Sequence, residues 1–401
     1  MSNDLQYVVK QHYAEATQET LEKTLTAMDL AGMIDIPNGT TKNLPLVKMR
    51  APGNYTKYTN QTISDVKTGN DPIVINTTPM VTFAIDDIDE AEDYIDIKSE
   101  VIADASYQIK RRIDGEFFAQ AANAKWKYDA NGFGLNTGVL SPVTLTTGAS
   151  QNISTVFGKA KAGLTTIGVN SGKLALCVDD FTITDLTTLG MESGFNVADV
   201  SYTRGFQGKF GGMNVYGVST LSGATTLDLA TNPTAWDYIV VQGVKLNLVA
   251  LGTATLPADV SLGASADATA ANIILAVNGT GTPAAGTYIE IDSDDRARLE
   301  GVTAADGVDL ITFTSKNGAI QALSSMTNAA NDFQAQTINC VLMEKGAIKL
   351  ALRNGVKVES AREPLKLVTN YFIYARYGLK VTTRSKEKMC VIPIVSAAAE
   401  S

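Results

Sequence analysis

The chain has 401 residues, 45% of them hydrophobic and 19% charged, which is enough apolar material for a real core and enough length for two or three domains. Its net charge of −9 and pI near 4.8 repel phosphate backbones and argue against an exposed nucleic-acid-binding face. No run reaches the roughly 18 apolar residues of a membrane span, and the opening residues MSNDLQYVVKQHYAEA lack a signal peptide's basic and apolar regions. These limits predict a soluble protein made in a cytoplasm. The 33 glycines and only 7% aromatic residues point to a β-rich chain with many turns.

Residues 13–31 place Ala16, Leu21, Leu25, Met28 and Leu30 at helical spacing with acidic residues opposite, so an amphipathic helix is expected, ended by Gly32 and Pro37. From 43 to 88 the texture changes. The alternating runs LPLVKMR and IVINTTPMVTFAI read as legs of an antiparallel ribbon, and the polar stretch between them as its tip. A ribbon this polar has no core of its own and must lie against something else. Residues 52–72 are accordingly expected to gain order from a neighbour. A long helix follows, from Glu90 to about Lys127, with an apolar stripe of Ile95, Ile102, Ile109, Ile113 and Phe117. At about 1.5 Å per residue it would span on the order of 50 Å. Its stripe is expected to pack on a sheet formed partly by 380–394.

A second helix is expected at 154–167, a buried strand at 173–179, and a third helix (FTITDLTTLG) capped by Asp180. Residues 211–221 read as another strand. Composition shifts near Ser222, and up to about Gln336 the chain is rich in Ala, Thr, Gly and Asp. There a hairpin is predicted at 238–251 around Gln242-Gly243. A helix ATAANIILAV, capped by Asp267 or Thr269 and ended by Asn278-Gly279, follows, then strands at 287–291 and 310–314. These parts together read as an insertion. The last stretch, 338–394, reads as a buried strand, a short helix and three strands.

Chemistry-bearing patterns are sparse. His12 is the single histidine, so no Ser-His-Asp or Cys-His arrangement is expected without it. Cys177, Cys340 and Cys390 lie in apolar runs and read as buried core residues, and no Cys-x-x-Cys or His-x-x-x-His offers a zinc site. The loop from Gly168 to Lys173 lacks phosphate-loop spacing, and Gly132-Phe-Gly134 and Gly279-Thr-Gly281 lack a third glycine. Asp86, Asp87, Asp89 and Glu90 are explained by capping at a helix start. Asp292, Asp294 and Asp295, beside Arg296 and Arg298, read as a charged turn rather than a calcium loop. No catalytic, cofactor-binding or metal residue is therefore predicted.

In this order the elements resemble the major capsid proteins of tailed bacteriophages, the Hong-Kong-97-like α+β fold. Leu342-Met-Glu-Lys-Gly-Ala-Ile-Lys-Leu-Ala351 is similar to that family's strand-to-helix step. Val358-Glu-Ser-Ala-Arg362 and Tyr374-Ala-Arg-Tyr-Gly378 look like its closing strands. The resemblance implies an N-terminal arm (1–42), an extended β-ribbon loop (43–89) and a peripheral domain with the spine helix (90–150 and 371–401). It further implies an axial domain (151–222 and 337–370) and a β-rich insertion domain (223–336). The insertion is similar to a module of phage structural proteins through Asp237–Gly243, Gly263-Ala-Ser and Thr269-Ala-Ala-Asn.

The function so implied is structural and non-enzymatic. Copies would self-assemble as hexamers and pentamers into an icosahedral head around double-stranded DNA, without sequence specificity, in the cytoplasm of a bacterial host. Implied partners are a separate scaffolding protein, a portal and decoration proteins, with no cofactor and no membrane. Family crosslinking joins a loop lysine to a distant asparagine. Lys57 and Lys67 lie in the right region but no partner can be named, so non-covalent assembly is expected. The alternative is an encapsulin-like compartment shell, against which the large insertion counts. An enzyme or sugar-binding adhesin is a third reading, weakened by the lack of paired catalytic carboxylates and aromatic platforms.

Overall fold

The computed structural model describes residues 26–36, 39–47, 54, 57, 68–86, 97–145, 153–179, 182–183, 206–307, 310–316, 318–328, 330–363 and 368–395. In chain order the first elements are α1 (Ala27–Leu30), β1 (Gly32–Ile34), β2 (Thr41–Val47), β3 (Thr68–Val74), β4 (Met80–Asp86) and the long helix α2 (Ile97–Ala119). Then come β5 (Trp126–Asp129), β6 (Gly132–Leu135), β7 (Val143–Thr144), α3 (Ile153–Thr166), β8 (Leu174–Val178), β9 (Phe206–Phe210) and β10 (Met213–Gly217). The next stretch holds β11 (Gly223–Asp228), β12 (Tyr238–Val241), β13 (Val244–Val249), β14 (Asp259–Ser261), α4 (Ala266–Asn278) and α5 (Ser293–Arg298). It ends with β15 (Val302–Gly307), β16 (Leu310–Ser315) and β17 (Ala322–Ser325). The chain closes with β18 (Thr337–Glu344), β19 (Ile348–Glu363), β20 (Val368–Val381), α6 (Thr383–Lys386) and β21 (Met389–Val395).

Two compact units form. One combines 31–109 with 348–385, the other 20–30 with 110–347 and 386–401. The first unit is built on a four-stranded sheet, β1-β19-β20-β4. Its axis is the antiparallel pair β19–β20, which runs from Ile348 opposite Val381 to Glu363 opposite Val368, with register breaks around Asn354. Alternation along β20 buries Tyr371, Ile373, Ala375 and Tyr377 on one face. On that face the Tyr371 ring stacks on Phe83 at 5.1 Å. β2 and β3 form a separate two-stranded ribbon.

The second unit is built on an eleven-stranded sheet whose centre is β18, paired with β8, β11 and β21. Its three central strands each carry one cysteine, and Cys177, Cys340 and Cys390 are all fully buried. That agrees with their reading as small core residues, and burial pushes each thiol's pKa up. A second sheet, β14-β13-β12-β17, packs with α4 around Ile239, Val241, Leu246, Leu248, Val260 and Ile273. Every member of that apolar cluster lies between 227 and 333.

Several expectations need correction. The long helix begins no earlier than Ile97 among the described residues and ends in a short 3-10 turn at Gln120–Asn123, not at 127. Ala124 leaves the helical region because Trp126 is drawn into β5, where its indole stacks on Phe133 and donates to the Glu387 carbonyl at 3.1 Å. The run 80–86 is not a ribbon leg but β4, paired with β20. The chain changes partner near Thr77, which exchanges two backbone hydrogen bonds with Tyr377. Residues 68–72, expected in the tip, belong to strand β3.

The short helix expected after Glu344 is a turn. Gly346 donates to the Leu30 carbonyl at 2.8 Å, and the chain then continues directly into β19. β20 and β21 fall in different sheets, so 380–394 is no single surface for the helix to pack on, and the pairing of β19 with β20 crosses the boundary expected at 370. Asp179 receives the Thr182 N–H and hydroxyl, whereas Asp180 and the expected third helix, apart from 182–183, lie outside the described residues. Ser265, not Asp267 or Thr269, caps α4. Residues 287–291 form no strand, only bridges at Tyr288. Ile95 and most of the first amphipathic helix lie outside the described residues.

The α2 stripe is buried at Ala105, Ile109, Ile113 and Phe117. One polar residue interrupts it. Asp114 is 2% exposed, and its Oδ1 accepts the backbone N–H groups of Thr26 (2.9 Å) and Ala27 (2.6 Å), the entry to α1. Its Oδ2 accepts the Thr220 hydroxyl. Burial raises the carboxyl's pKa, against the pull of these three donors. A raised folded pKa means that stability is lost as pH rises through it, so the charged form is the costly one. Asp114→Ala should strand two buried N–H groups, at about 1–3 kcal/mol each. Asp114→Asn, which keeps the acceptor and drops the charge, should cost much less. Ile109→Ala should cost about 2–5 kcal/mol, and a change at exposed Lys110 far less. Thermal melts of the four variants check this order; equal losses for Asp114→Ala and Asp114→Asn would contradict it.

Candidate functional site

The sequence offers no reaction centre, so the elements that could meet other molecules become the site. The β2–β3 ribbon is the first. Its strands pair from Thr41 opposite Val74 to Val47 opposite Thr68, and twenty residues, 48–67, join their far ends. Two strands cannot sustain themselves in water, so the ribbon depends on how its near end is held. There Ile73 and Ile75 are buried with Ile36 and Ala351, and Ile34 and Leu44 pack against them.

A close backbone approach fixes the seat. A Cβ on Gly378 of β20 would lie 2.0 Å from the Val74 carbonyl oxygen, so only glycine lets the ribbon lie on the hairpin. Beside it Asp71 accepts the Thr383 N–H at 2.7 Å and hydroxyl at 3.2 Å, and pairs with Lys380 at 3.4 Å. Burial pushes the Asp71 carboxyl up, but the Thr383 and Lys380 contacts outweigh it and hold its pKa below the usual aspartate value. A depressed folded pKa gives stability that is present above the unfolded value and lost as pH falls through the folded one. The ion pair is half-exposed on the lysine side and worth about 1 kcal/mol or less.

The second element is the distal part of β19. β1 pairs only with 349–351, so from Leu352 onward β20 is the single partner of β19 among the described residues. Lys357, Val358, Glu359 and Ser360 are all exposed, and Tyr374 donates to Glu359 at 2.6 Å.

The remaining sequence candidates fall apart in space or fold into local structure. Residues 168–173 form a turn in which Asn170 accepts the Gly172 N–H at 2.9 Å. Gly132 and Gly134 lie in β6, and Gly279 caps α4 in the left-handed region. Asp294 and Asp295 lie in α5, preceded by Asp292. From that helix Arg296 donates to the Ala276 and Val277 carbonyls at 2.7 Å, closing the end of α4. Asp86 ends β4, whereas His12, Asp87, Asp89, Glu90 and Lys67 lie outside the described residues. Among the described residues no group of three or more His, Cys, Asp or Glu could hold a metal, and no helix is long and apolar enough to cross a membrane. Sequence reading missed Asp71 and Asp114. Both act on partners far away in the chain, and no local pattern marks them.

No family model and no curated protein matches the chain. Among solved structures it is similar to the capsid of cyanophage P-SCSP1u, at 12% identity and a TM-score of 0.48 over 99% of this chain and 96% of that one. It is also similar to a structure from Mycobacterium phage Che8 (11%, 0.47, over 96% and 97%). The mature capsid of bacteriophage PhiM1 gives 10% and 0.49, over 96% and 91%.

Gly378→Ala should displace the ribbon, since inserting bulk into a filled space costs about 1–3 kcal/mol or more. Limited proteolysis should then cut faster between 41 and 74 while the second unit stays resistant. Acidification down through the usual carboxylate range and beyond should have a milder effect of the same sign, through protonation of Asp71. Unchanged cleavage in Gly378→Ala would contradict the seating.

Proposed function

We propose that this chain is a structural shell subunit, the major capsid protein of a tailed bacteriophage. The observation that carries the reading is the ribbon, seated at one end by Gly378 and Asp71 and carrying twenty mostly polar residues at the other. Held at its base, such an arm is suited to lie across an adjacent copy. Polar side chains let one sequence satisfy several slightly different contacts, as hexamers and pentamers in one shell require. The order of arm, ribbon, long helix and closing strands in the sequence supports the same reading.

In this role the chain is a non-enzymatic component of the virion. It encloses double-stranded DNA without reading its sequence and works with a separate scaffolding protein, a portal and decoration proteins. Residues 223–336 form a module inserted into the axial domain. Their separate apolar cluster supports this, and β11 joins the module to β18 through Gly223 opposite Ile338 and Ala224 opposite Thr337.

Electron microscopy of the expressed protein tests the proposal. Closed shells are expected, and nucleic acid in particles from infected cells distinguishes a virus head from a compartment shell. Deleting 52–67 should leave a folded subunit that fails to close shells. Normal shells from the deleted protein would remove the ribbon from this role, and absence of shells from the intact protein would overturn the proposal.

A further inference from the structure

We propose that the outer edge of β19 pairs antiparallel with the same edge of a second copy, about a two-fold axis through Ser360. The inference rests on the shell reading above for its setting, and names one contact within it. β1 covers only 349–351, so beyond Leu352 the outer edge of β19 meets no strand among the described residues. All six residues from Lys357 to Arg362 are exposed, on both faces of the strand. Such an edge carries a row of backbone N–H and C=O groups that another strand can complete.

Folded chains blunt open edges, and β19 does so along its first half only. Its register with β20 breaks between Leu352 and Asn354 and again between Asn354 and Lys357, each time with one extra residue on β19. From Lys357 opposite Tyr374 to Glu363 opposite Val368 the register is unbroken, and these seven residues are straight enough for a new strand to follow.

The side-chain order within this stretch fits a copy of itself. A two-fold axis normal to the sheet keeps each face continuous, so only residues from the same face oppose one another. Centred on Ser360, Lys357 meets Glu363 at both ends, Glu359 meets Ala361, and Val358 meets Arg362. No like charges are opposed. The arginine's aliphatic stem covers Val358, which is otherwise 45% exposed. Centring on Glu359 would oppose that residue to itself, and centring on Ala361 would oppose Glu359 to Glu363, both repulsive. Centring on Val358 pairs Lys357 with Glu359 but carries the pairing into the break before Lys357. The register that the backbone allows is the one that the charges favour. The edge strand on the other side of the sheet, β4, holds a single charged residue, Asp86, and offers no such selection.

Cys177, Cys340 and Cys390 are fully buried, so Ser360→Cys gives the full-length chain its one exposed thiol. A short bifunctional maleimide should convert assembled shells of this variant largely to covalent dimers on a denaturing gel. Thr82→Cys, exposed on β4, should give several-fold less, because five strand spacings of about 4.8 Å would separate the two copies. With Ser360→Cys present, Lys357→Glu should cut dimer yield several-fold, and adding Glu363→Lys should restore it. Melting temperatures check that the subunits stay folded; if Glu363→Lys unfolds them, the Ser360→Cys dimer decides alone. Unchanged yield in Lys357→Glu, or restoration by Glu359→Lys instead, would overturn the register and with it the inference. Shells that give no Ser360→Cys dimer, or that give dimers only from Thr82→Cys, overturn the inference and leave the shell reading standing. Ser360→Cys dimers without shells keep the contact and overturn its setting, and a protein that forms neither overturns both.

Discussion

The first unit depends on one contact between backbones, the Val74 carbonyl against Gly378. Among the described residues β2 and β3 have no other strand to pair with, and the buried side chains of Ile73 in β3 and Ile75 just after it reach cover only because this segment can lie so close to β20. The clamp from Asp71 to Thr383 and Lys380 is specific in geometry but modest in energy. Steric access decides where the ribbon lies, and polar contacts decide its register.

This division explains what the sequence revealed. The hairpin 238–251 was legible because Gln242 and Gly243, at φ 54° and 78°, make the tight turn that alternating strands require. α3 and the buried cysteines were legible for similarly local reasons. The ribbon's second leg was misread because the apolar alternation runs on through Thr77 and Pro79, and only the exchange with Tyr377 shows where one pairing ends. The turn at Gly346 was taken for a helix because a short apolar run suits either period. Yet Ile348, Leu350 and Leu352 alternate as a strand, and the pairing with β20 selects that period.

Asp114 and Asp71 were invisible for a different reason. A single acid on a helix or ribbon reads as solvated surface, and nothing nearby reveals that Thr26, Thr220 or Thr383 will close on it. The same holds for Trp236. The dipeptide Trp-Asp gives no hint that Asp237 will be buried and the indole left outside. Charge, by contrast, is plain in the sequence. The acidic middle and basic closing hairpin are countable by eye, but only the strand register shows that Glu359 and Glu363 share a face with Lys357 and Arg376.

The central claim is that the ribbon is held at its base by its own chain and completed at its far end by another. Hydrogen exchange compared between free subunits and assembled shells tests it most directly. The account predicts that 41–47 and 68–74 are protected in both states, whereas 48–67 gain protection only in shells. Equal exchange of 48–67 in the two states would contradict it.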